Sequence, residues 1–219
     1  MNLFKPGVKK LIENKNANGL KELLSKNPNL ANKGITIPYD LTCRVKAHPL
    51  HRLCDAVFAG RISDDEAVIL AKILLENGAN IDGDKNKHEG TPLLAAASLH
   101  AEQVGIFYID NGADVHYTYN NDGASALHWA AYCGRDLLVE RLIKANVEID
   151  KPDKEYHTTP LGWAIHSLQT IDKGNEHNQL NCIKLLLKNG ADTKKLDEKK
   201  SDYLLRLSKD DRDLQNLIA

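Results

Sequence analysis

The chain contains nine histidines and four cysteines, the residue types that most often bind metals or act as nucleophiles. His48, His51 and Cys54 follow one another at intervals of three residues, a spacing that metal ligands can adopt. A zinc finger needs a second pair of ligands further along the chain, and no pair follows at that spacing. We therefore expect neither a metal site nor a cofactor.

Cys133 and His166 are the candidate pair for a cysteine-dependent hydrolase, because a nucleophile and its base need only be neighbours in space. The sequence has no glycine-rich phosphate loop and no GxSxG, HExxH, GKS or GKT motif. We expect the protein not to be an enzyme. A Cys/His-dependent enzyme built on the same scaffold is the alternative.

Charge and composition restrict the class of partner. The 219 residues include 29 Lys and Arg against 30 Asp and Glu, which gives a formal net charge of −1. A protein that neutralises many phosphates needs a basic excess or a basic stripe, so we expect no nucleic-acid partner. With 42% hydrophobic residues, the chain has enough apolar material for a folded core.

The four cysteines, Cys43, Cys54, Cys133 and Cys182, are too few and too irregularly spaced for a disulfide framework. The longest apolar stretches, such as residues 67–75 with Lys72 inside, are much shorter than a membrane span. The first ten residues lack the apolar stretch of a secretory signal. These features predict a cytoplasmic protein without membrane insertion.

The sequence repeats itself with a period of 34 residues. An Asn-Gly-Ala mark, followed by Asn or Asp, begins at Asn77, Asn111 and Asn189, and a degenerate copy begins at Ala145. A helix opener of the Thr-Pro-Leu type begins at His48, Thr91, Ser125 and Thr159. Apolar residues with helical spacing precede the marks, so each unit is expected to contain a helix that buries one face.

These motifs resemble the ankyrin repeat, which pairs a short alanine-rich helix with a longer leucine-rich one. The resemblance implies an all-α solenoid of stacked helix-turn-helix units with β-turn or hairpin tips. Proline suits the first helical turn, and glycine suits the left-handed position after the second helix. His51 and His128 stand where the family's histidine links neighbouring turns by hydrogen bonds, which is a structural role and not a metal-binding one.

We expect one solenoid over residues 1–219, with four clear repeats between two divergent capping units. Its parts are an N-terminal cap and linker (1–45), repeats at 46–88, 89–121, 122–156 and 157–195, and a C-terminal cap (196–219). The first and last clear repeats carry helix-loop insertions of 9 and 10 residues. In the first, Ser63 and Glu66 form a predicted capping box. In the last, a polar loop surrounds Gly174.

The family uses the concave face of the stack to bind other proteins. The position after the opener's histidine points into this groove, and here it carries Arg52, Ala95, Trp129 and Trp163. Three residues later stand Asp55, Ser98, Tyr132 and His166. The predicted partner-binding residues are Trp129, Trp163, Tyr132, His166 and Arg52, with Tyr117, Tyr119 and Tyr156 at the tips. The alternative is that both tryptophans pack against neighbouring helices.

We therefore interpret the chain as a non-catalytic module that binds another protein, and we expect it to be monomeric. Self-assembly through the end repeats is an alternative. The Asn- and Lys-rich, irregular repeats are similar to those of ankyrin proteins that intracellular bacteria inject into host cells. That similarity implies a host protein as the partner and secretion without a cleaved signal peptide.

Overall fold

The computed structural model describes residues 6–84, 86, 88–171 and 178–218. Within these residues it contains twelve α-helices and one pair of two-residue strands. The chain divides into two compact units, Met1–Asp114 and Val115–Ala219. The predicted all-α architecture of paired helices is confirmed.

The first unit consists of three helix pairs: α1 (Val8–Glu13) with α2 (Ala17–Lys26), α3 (Pro49–Phe58) with α4 (Asp64–Glu76), and α5 (Pro92–Ser98) with α6 (Glu102–Asp110). Contacts run from α1 to α3 and on to α5, and from α2 to α4 and on to α6. First helices therefore stack on first helices and second on second, as expected for stacked repeats. Leu20, Leu50 and Leu74 are fully buried in this core.

The second unit repeats this arrangement with α7 (Ala126–Tyr132) and α8 (Asp136–Lys144), α9 (Pro160–Thr170) and α10 (Gln179–Lys188), and α11 (Glu198–Ser208) and α12 (Arg212–Ile218). A 3-10 turn, Thr193–Lys195, precedes α11. Helix α9 contacts both α7 and α11, and α10 contacts both α8 and α12. The core includes Leu127, Leu138, Leu161 and Leu186.

Side chains at the helix starts satisfy backbone N–H groups that have no partner within the helix. Thr91 Oγ1 accepts from Leu94 N at 3.2 Å, and a proline follows each of the caps Thr91 and Thr159. The capping box predicted at α4 is confirmed. Glu66 N donates to Ser63 Oγ at 3.1 Å, and Ser63 N donates to a Glu66 carboxylate oxygen at 2.8 Å.

The Asn-Gly-Ala marks end the second helices with a residue in the left-handed region. Gly78 has a φ of 83° and Gly190 a φ of 92°. In the degenerate copy, Asn146 takes the same conformation with a φ of 63°. Asparagine is one of the few residues other than glycine that tolerate this region. The degenerate repeat therefore keeps the same helix end without a glycine.

The insertion in the repeat at 46–88 mostly lengthens helices. Helix α3 has 10 residues and α4 has 13, against 7 in α5 and 9 in α6. In the repeat at 157–195, α9 has 11 residues against 7 in α7. The predicted polar loop around Gly174 lies outside the described residues, since 172–177 are not described.

A short hairpin precedes α3, with β1 (Ile35–Thr36) antiparallel to β2 (Lys46–Ala47). Arg52 fastens it to α3, because its guanidinium donates to the carbonyls of Ile35 at 3.3 Å and Val45 at 3.2 Å. The same guanidinium donates to Asp55 Oδ2 at 2.8 Å. Arg52 is only 2% exposed. This corrects the expectation that Arg52 contacts a partner, since its guanidinium is buried under the hairpin.

Candidate functional site

The second unit contains a cavity of about 430 Å³ that we call the aromatic pocket. Helices α7 and α9 supply most of its wall, the loop before α9 supplies part of the rim, and α11 supplies one side chain. The residues that line it are Trp129, Tyr132, Tyr156, Thr158, Gly162, Trp163, His166 and Lys200. A cavity of this size is large enough for several side chains of a bound segment.

Three rings form one cluster in the wall of the pocket. The ring centroids of Trp129 and Trp163 are 5.1 Å apart, and those of Tyr132 lie 6.1 Å from Trp129 and 5.9 Å from Trp163. All three pairs meet edge to face, the arrangement that the charge distribution of aromatic rings favours. Each of the three side chains is half-buried, so the cluster is both packed and open to solvent.

The repeat places the rings together. Trp129 is the fourth residue of α7 and Trp163 is the fourth residue of α9, and these two helices stack on each other. Equivalent positions of stacked helices are neighbours in space. Two tryptophans that are 34 positions apart in the sequence are therefore in contact. Tyr132 follows Trp129 by three residues and lies on the same helix face.

Trp163 is oriented by a buried carboxylate. Its Nε1 donates to Asp153 Oδ2 at 3.0 Å, and Asp153 is 1% exposed. The backbone N–H groups of Glu155, Tyr156 and Thr158 donate to the same carboxylate. Burial alone would raise the pKa of Asp153, but these hydrogen bonds outweigh it and lower the pKa. The anion therefore fixes the indole and the loop beside it at the same time.

The floor of the pocket is open because Gly162 stands where a neighbouring repeat has a histidine. His128 follows its cap, Ser125, by three residues, and Gly162 follows Thr159 by three. The ring of His128 is buried and bonded to Ser125 Oγ at 2.8 Å. A Cβ on Gly162 would overlap the methyl group of Thr158 and would lie 3.6 Å from Lys200 Cδ. A side chain at this position would therefore reduce the space beside Lys200.

Five of the eight predicted partner-binding residues line this pocket: Trp129, Tyr132, Tyr156, Trp163 and His166. His166 and Tyr156 are exposed. Tyr117 and Tyr119 are half-buried in the loop before α7 and do not line it. Arg52 belongs to the first unit, under the hairpin.

Sequence reasoning missed Asp153, Thr158, Gly162 and Lys200. A glycine in place of the opener's histidine was a visible signal for Gly162. Lys200 lies in α11, where the repeat pattern is too degenerate to assign a helix position.

The proposed cysteine nucleophile is poorly suited to catalysis. Cys133 is 6% exposed, and burial raises the pKa of its thiol to about 11. The reactive thiolate is therefore scarce at neutral pH. His166 lies on the wall of the pocket, whereas Cys133 is not among the residues that line it.

The group of His48, His51 and Cys54 is buried in the first unit. Burial lowers the pKa of His48 to about 4 and that of His51 to about 3, so both rings are neutral near pH 7. His48 Nδ1 accepts from Leu50 N at 3.3 Å and its Nε2 lies 3.0 Å from Asn32 Oδ1. Across the described residues, no group of three or more His, Cys, Asp or Glu side chains could hold a metal ion.

The comparison with known families agrees with the stacked helix pairs. The family model of ankyrin repeats in three copies matches residues 100–197, a range that includes every residue of the aromatic pocket except Lys200. The human ASB11 ankyrin repeat domain has the same fold, with a TM-score of 0.59 and 25% identity over 85% of this chain and 70% of that one. Residues 100–197 are ankyrin repeats, and the chain has the fold of an ankyrin repeat domain.

Ankyrin repeats are protein-interaction modules and are generally scaffolds without catalytic activity of their own. Among curated proteins, this ankyrin-repeat chain is similar to human palmitoyltransferase ZDHHC13, at 31% identity over 121 residues. It is also similar to palmitoyltransferase AKR1 of Lachancea kluyveri, at 33% identity over 131 residues. The matched segments are 51% and 57% of this chain but only 18% and 16% of those proteins.

Within the described residues, no helix is both long and apolar enough to cross a membrane.

Proposed function

We propose that this ankyrin-repeat protein is a non-catalytic module that docks a segment of another protein in the aromatic pocket. The observation that carries the proposal is the cluster of three half-exposed rings, Trp129, Tyr132 and Trp163, beside a cavity. Tryptophan and tyrosine offer a large contact area and lose little conformational entropy, so they are frequent anchors of protein interfaces.

The geometry supports rigid docking. Trp163 is already held by Asp153, and the three rings already support one another. A partner therefore meets side chains that need little further ordering, which reduces the entropy lost on binding. The partner would place an apolar side chain against the ring cluster, while Tyr156 and His166 contact the segment from the rim.

The test compares proteins captured by the wild type with those captured by the variant that combines Trp129→Ala with Trp163→Ala. Phe58→Ala is the matched control, because Phe58 is an aromatic side chain that is 62% exposed in the first unit. The double variant should lose specific partners that the control retains. If the double variant and the control capture the same partners, and circular dichroism shows that both are folded, the interface lies outside the pocket.

The two tryptophans are half-buried, so the double variant also removes packing. The single variants Tyr132→Ala and His166→Ala remove less of the core and serve as a second comparison. We expect partner capture to fall in both. A thermal transition within about 5 °C of wild type would show that this loss does not arise from unfolding.

The protein is proposed to have no reaction of its own. The high pKa of the buried Cys133 thiol supports this proposal. Replacement of Cys133 by Ala should leave partner capture unchanged. A hydrolase activity that the wild type has and this variant lacks would contradict the proposal.

We also propose a cytoplasmic monomer, and for a bacterial source an effector that binds a host protein. Within the described residues, no disulfide links any of the four cysteines, which suits a reducing compartment. Light scattering over a concentration series should give a constant mass near 24.3 kDa. A reporter fused to the chain and delivered into host cells would test the effector role.

A further inference from the structure

The polar groups that line the aromatic pocket carry positive or neutral charge. Lys200 is the ammonium group in the lining, and His166 adds an imidazole. The described residues that line the pocket include neither Asp nor Glu. The wall is otherwise formed by aromatic rings, Thr158 and Gly162. A ligand with a carboxylate beside an apolar group therefore matches this lining better than a cationic ligand does.

Two acidic residues near the pocket, Asp153 and Asp197, already accept hydrogen bonds within the protein, and Glu155 interacts with the phenol group of Tyr156. Asp153 accepts four hydrogen bonds, two on each oxygen, and is 1% exposed. Asp197 caps α11, where it accepts from Lys200 N at 2.9 Å and forms an ion pair with Lys200 Nζ. Since Asp197 binds one of three ammonium N–H groups, Lys200 keeps donors for a second carboxylate.

Lys200 is also held in place before any ligand arrives. Its side chain is 17% exposed, and its Cδ passes 3.6 Å from the position that a Cβ on Gly162 would take. The methylene stem therefore forms part of the pocket wall, with the ammonium at its end. Because Asp197 fixes the ammonium, a ligand carboxylate would meet a positioned charge.

The ring geometry argues against a cage for an alkylated ammonium group. Such a cage surrounds the cation with ring faces, and here the rings contact one another at centroid distances of 5.1–6.1 Å. No space remains between the three rings for a bulky cation. A ligand must lie over the cluster, next to Gly162 and Lys200.

We propose that the aromatic pocket selects an acidic peptide segment, in which an apolar side chain packs on Trp129 and Trp163 and a neighbouring carboxylate pairs with Lys200. The proposal rests on the proposed function, because it specifies the chemistry of the segment that docks there. Lys200 acts as the residue that determines specificity, and the rings supply most of the contact area.

The experiment selects from a phage library of random peptides, about twelve residues long, against the wild type and against Lys200→Glu. Glutamate is well tolerated in the first turn of a helix, so this variant should keep α11 folded. Lys199→Glu is the matched control, because Lys199 is the exposed neighbour and does not line the pocket. The wild type and the control should enrich peptides with Asp or Glu beside a large apolar residue.

Calorimetry with one enriched synthetic peptide then gives the size of the effect. We expect affinity to fall about tenfold or more in Lys200→Glu, less in Lys200→Gln, and not in Lys199→Glu. The affinity of the wild type should also fall as salt is raised. Circular dichroism of each variant shows whether α11 and the rest of the unit remain folded.

The outcomes separate this proposal from the broader one. Two results would contradict selection by Lys200 without contradicting docking in the pocket. One is the enrichment of apolar peptides without acidic residues, and the other is equal peptide affinity of the wild type and Lys200→Glu. Enrichment of basic peptides would also contradict selection by Lys200. Binding that is unaffected by Trp129→Ala, or no enrichment at all, would count against docking in the pocket and so against both proposals.

Discussion

The indole Nε1 of Trp163 donates a 3.0 Å hydrogen bond to a carboxylate oxygen of Asp153, a residue ten positions earlier that is almost completely buried. The same carboxylate accepts three backbone N–H groups of the loop that leads into α9. One side chain thus connects the conformation of a loop to the orientation of a ring in the aromatic pocket.

Asp153→Asn should destabilise the protein by about 1–3 kcal/mol, because an amide group cannot accept all four hydrogen bonds. Trp163→Phe removes only the indole donor and keeps an aromatic ring. In a double-mutant cycle measured by urea denaturation, the two changes should be less than additive. Strictly additive effects would show that the hydrogen bond contributes nothing to stability.

Arg52→Ala should destabilise the first unit by about 3–5 kcal/mol, because it leaves the Asp55 carboxylate without its buried partner and releases two carbonyls of the hairpin. Arg44→Ala is the control, since Arg44 lies in the same hairpin and is exposed. Thermal unfolding measures both. Partner capture by the folded fraction of Arg52→Ala should be unchanged. A loss of capture by protein that is still folded would show that Arg52 contacts the partner.

Stability should fall as the pH drops from about 6.5 toward 4. Burial lowers the pKa of His48 and His128 to about 4 and that of His51 to about 3. Between pH 6.5 and these values the unfolded chain binds protons that the folded chain does not, so unfolding is favoured. Each histidine should contribute about 2 kcal/mol of loss between pH 7 and pH 5.

Urea denaturation at several pH values checks this dependence. Carboxylates with a lowered pKa, such as Asp153 and Asp211, stop contributing to stability only below the ordinary carboxyl pKa near 4. The loss of stability between pH 7 and pH 5 therefore reports on the histidines. His128→Gln should flatten the slope between pH 7 and pH 5. The exposed His157 is the control, and His157→Gln should leave the slope as it is. A flat wild-type profile would contradict the expectation.

Asn146→Ala should destabilise the second unit by about 1 kcal/mol, because alanine tolerates a φ of 63° less well than asparagine does. Asn146→Gly restores the residue that the other marks use, so it should be at least as stable as the wild type. The two variants differ by a single methyl group. Equal stability of the pair would mean that the backbone shifts to relieve the strain.

The contact between Trp129 and Trp163 was predictable because it depends only on the repeat period and on the stacking of first helices. Arg52 occupies the equivalent position and was assigned to the same surface, but the hairpin of residues 35–47 covers it. A linker without repeat character gave no sign of where it would pack. The hydrogen bonds of Asp153 are local, but the repeat pattern assigns no role to that position. Lys200 approaches Gly162 from α11, where the repeat pattern is degenerate.

The fold was predictable to the level of helix pairs, because caps and glycines mark each pair independently. The lengths of the helices were less predictable from the sequence. The extra residues between the two helices of the repeat at 46–88 suggested a helix-loop insertion, yet most of them extend α3 and α4. Helices α4 and α6 both end directly before their Asn-Gly-Ala marks, so the extra residues of α4 lie at its start. Local spacing alone does not distinguish an extended helix from a helix next to a loop.

The contact between the two indoles has a practical consequence. The chain has two tryptophans, and their rings are 5.1 Å apart. The tryptophan fluorescence of the protein therefore originates at one place, the wall of the aromatic pocket, and the two indole transitions lie close enough to couple. Any ligand that covers the pocket should change the emission of the native, unlabelled chain, and the protein carries its own optical reporter of occupancy.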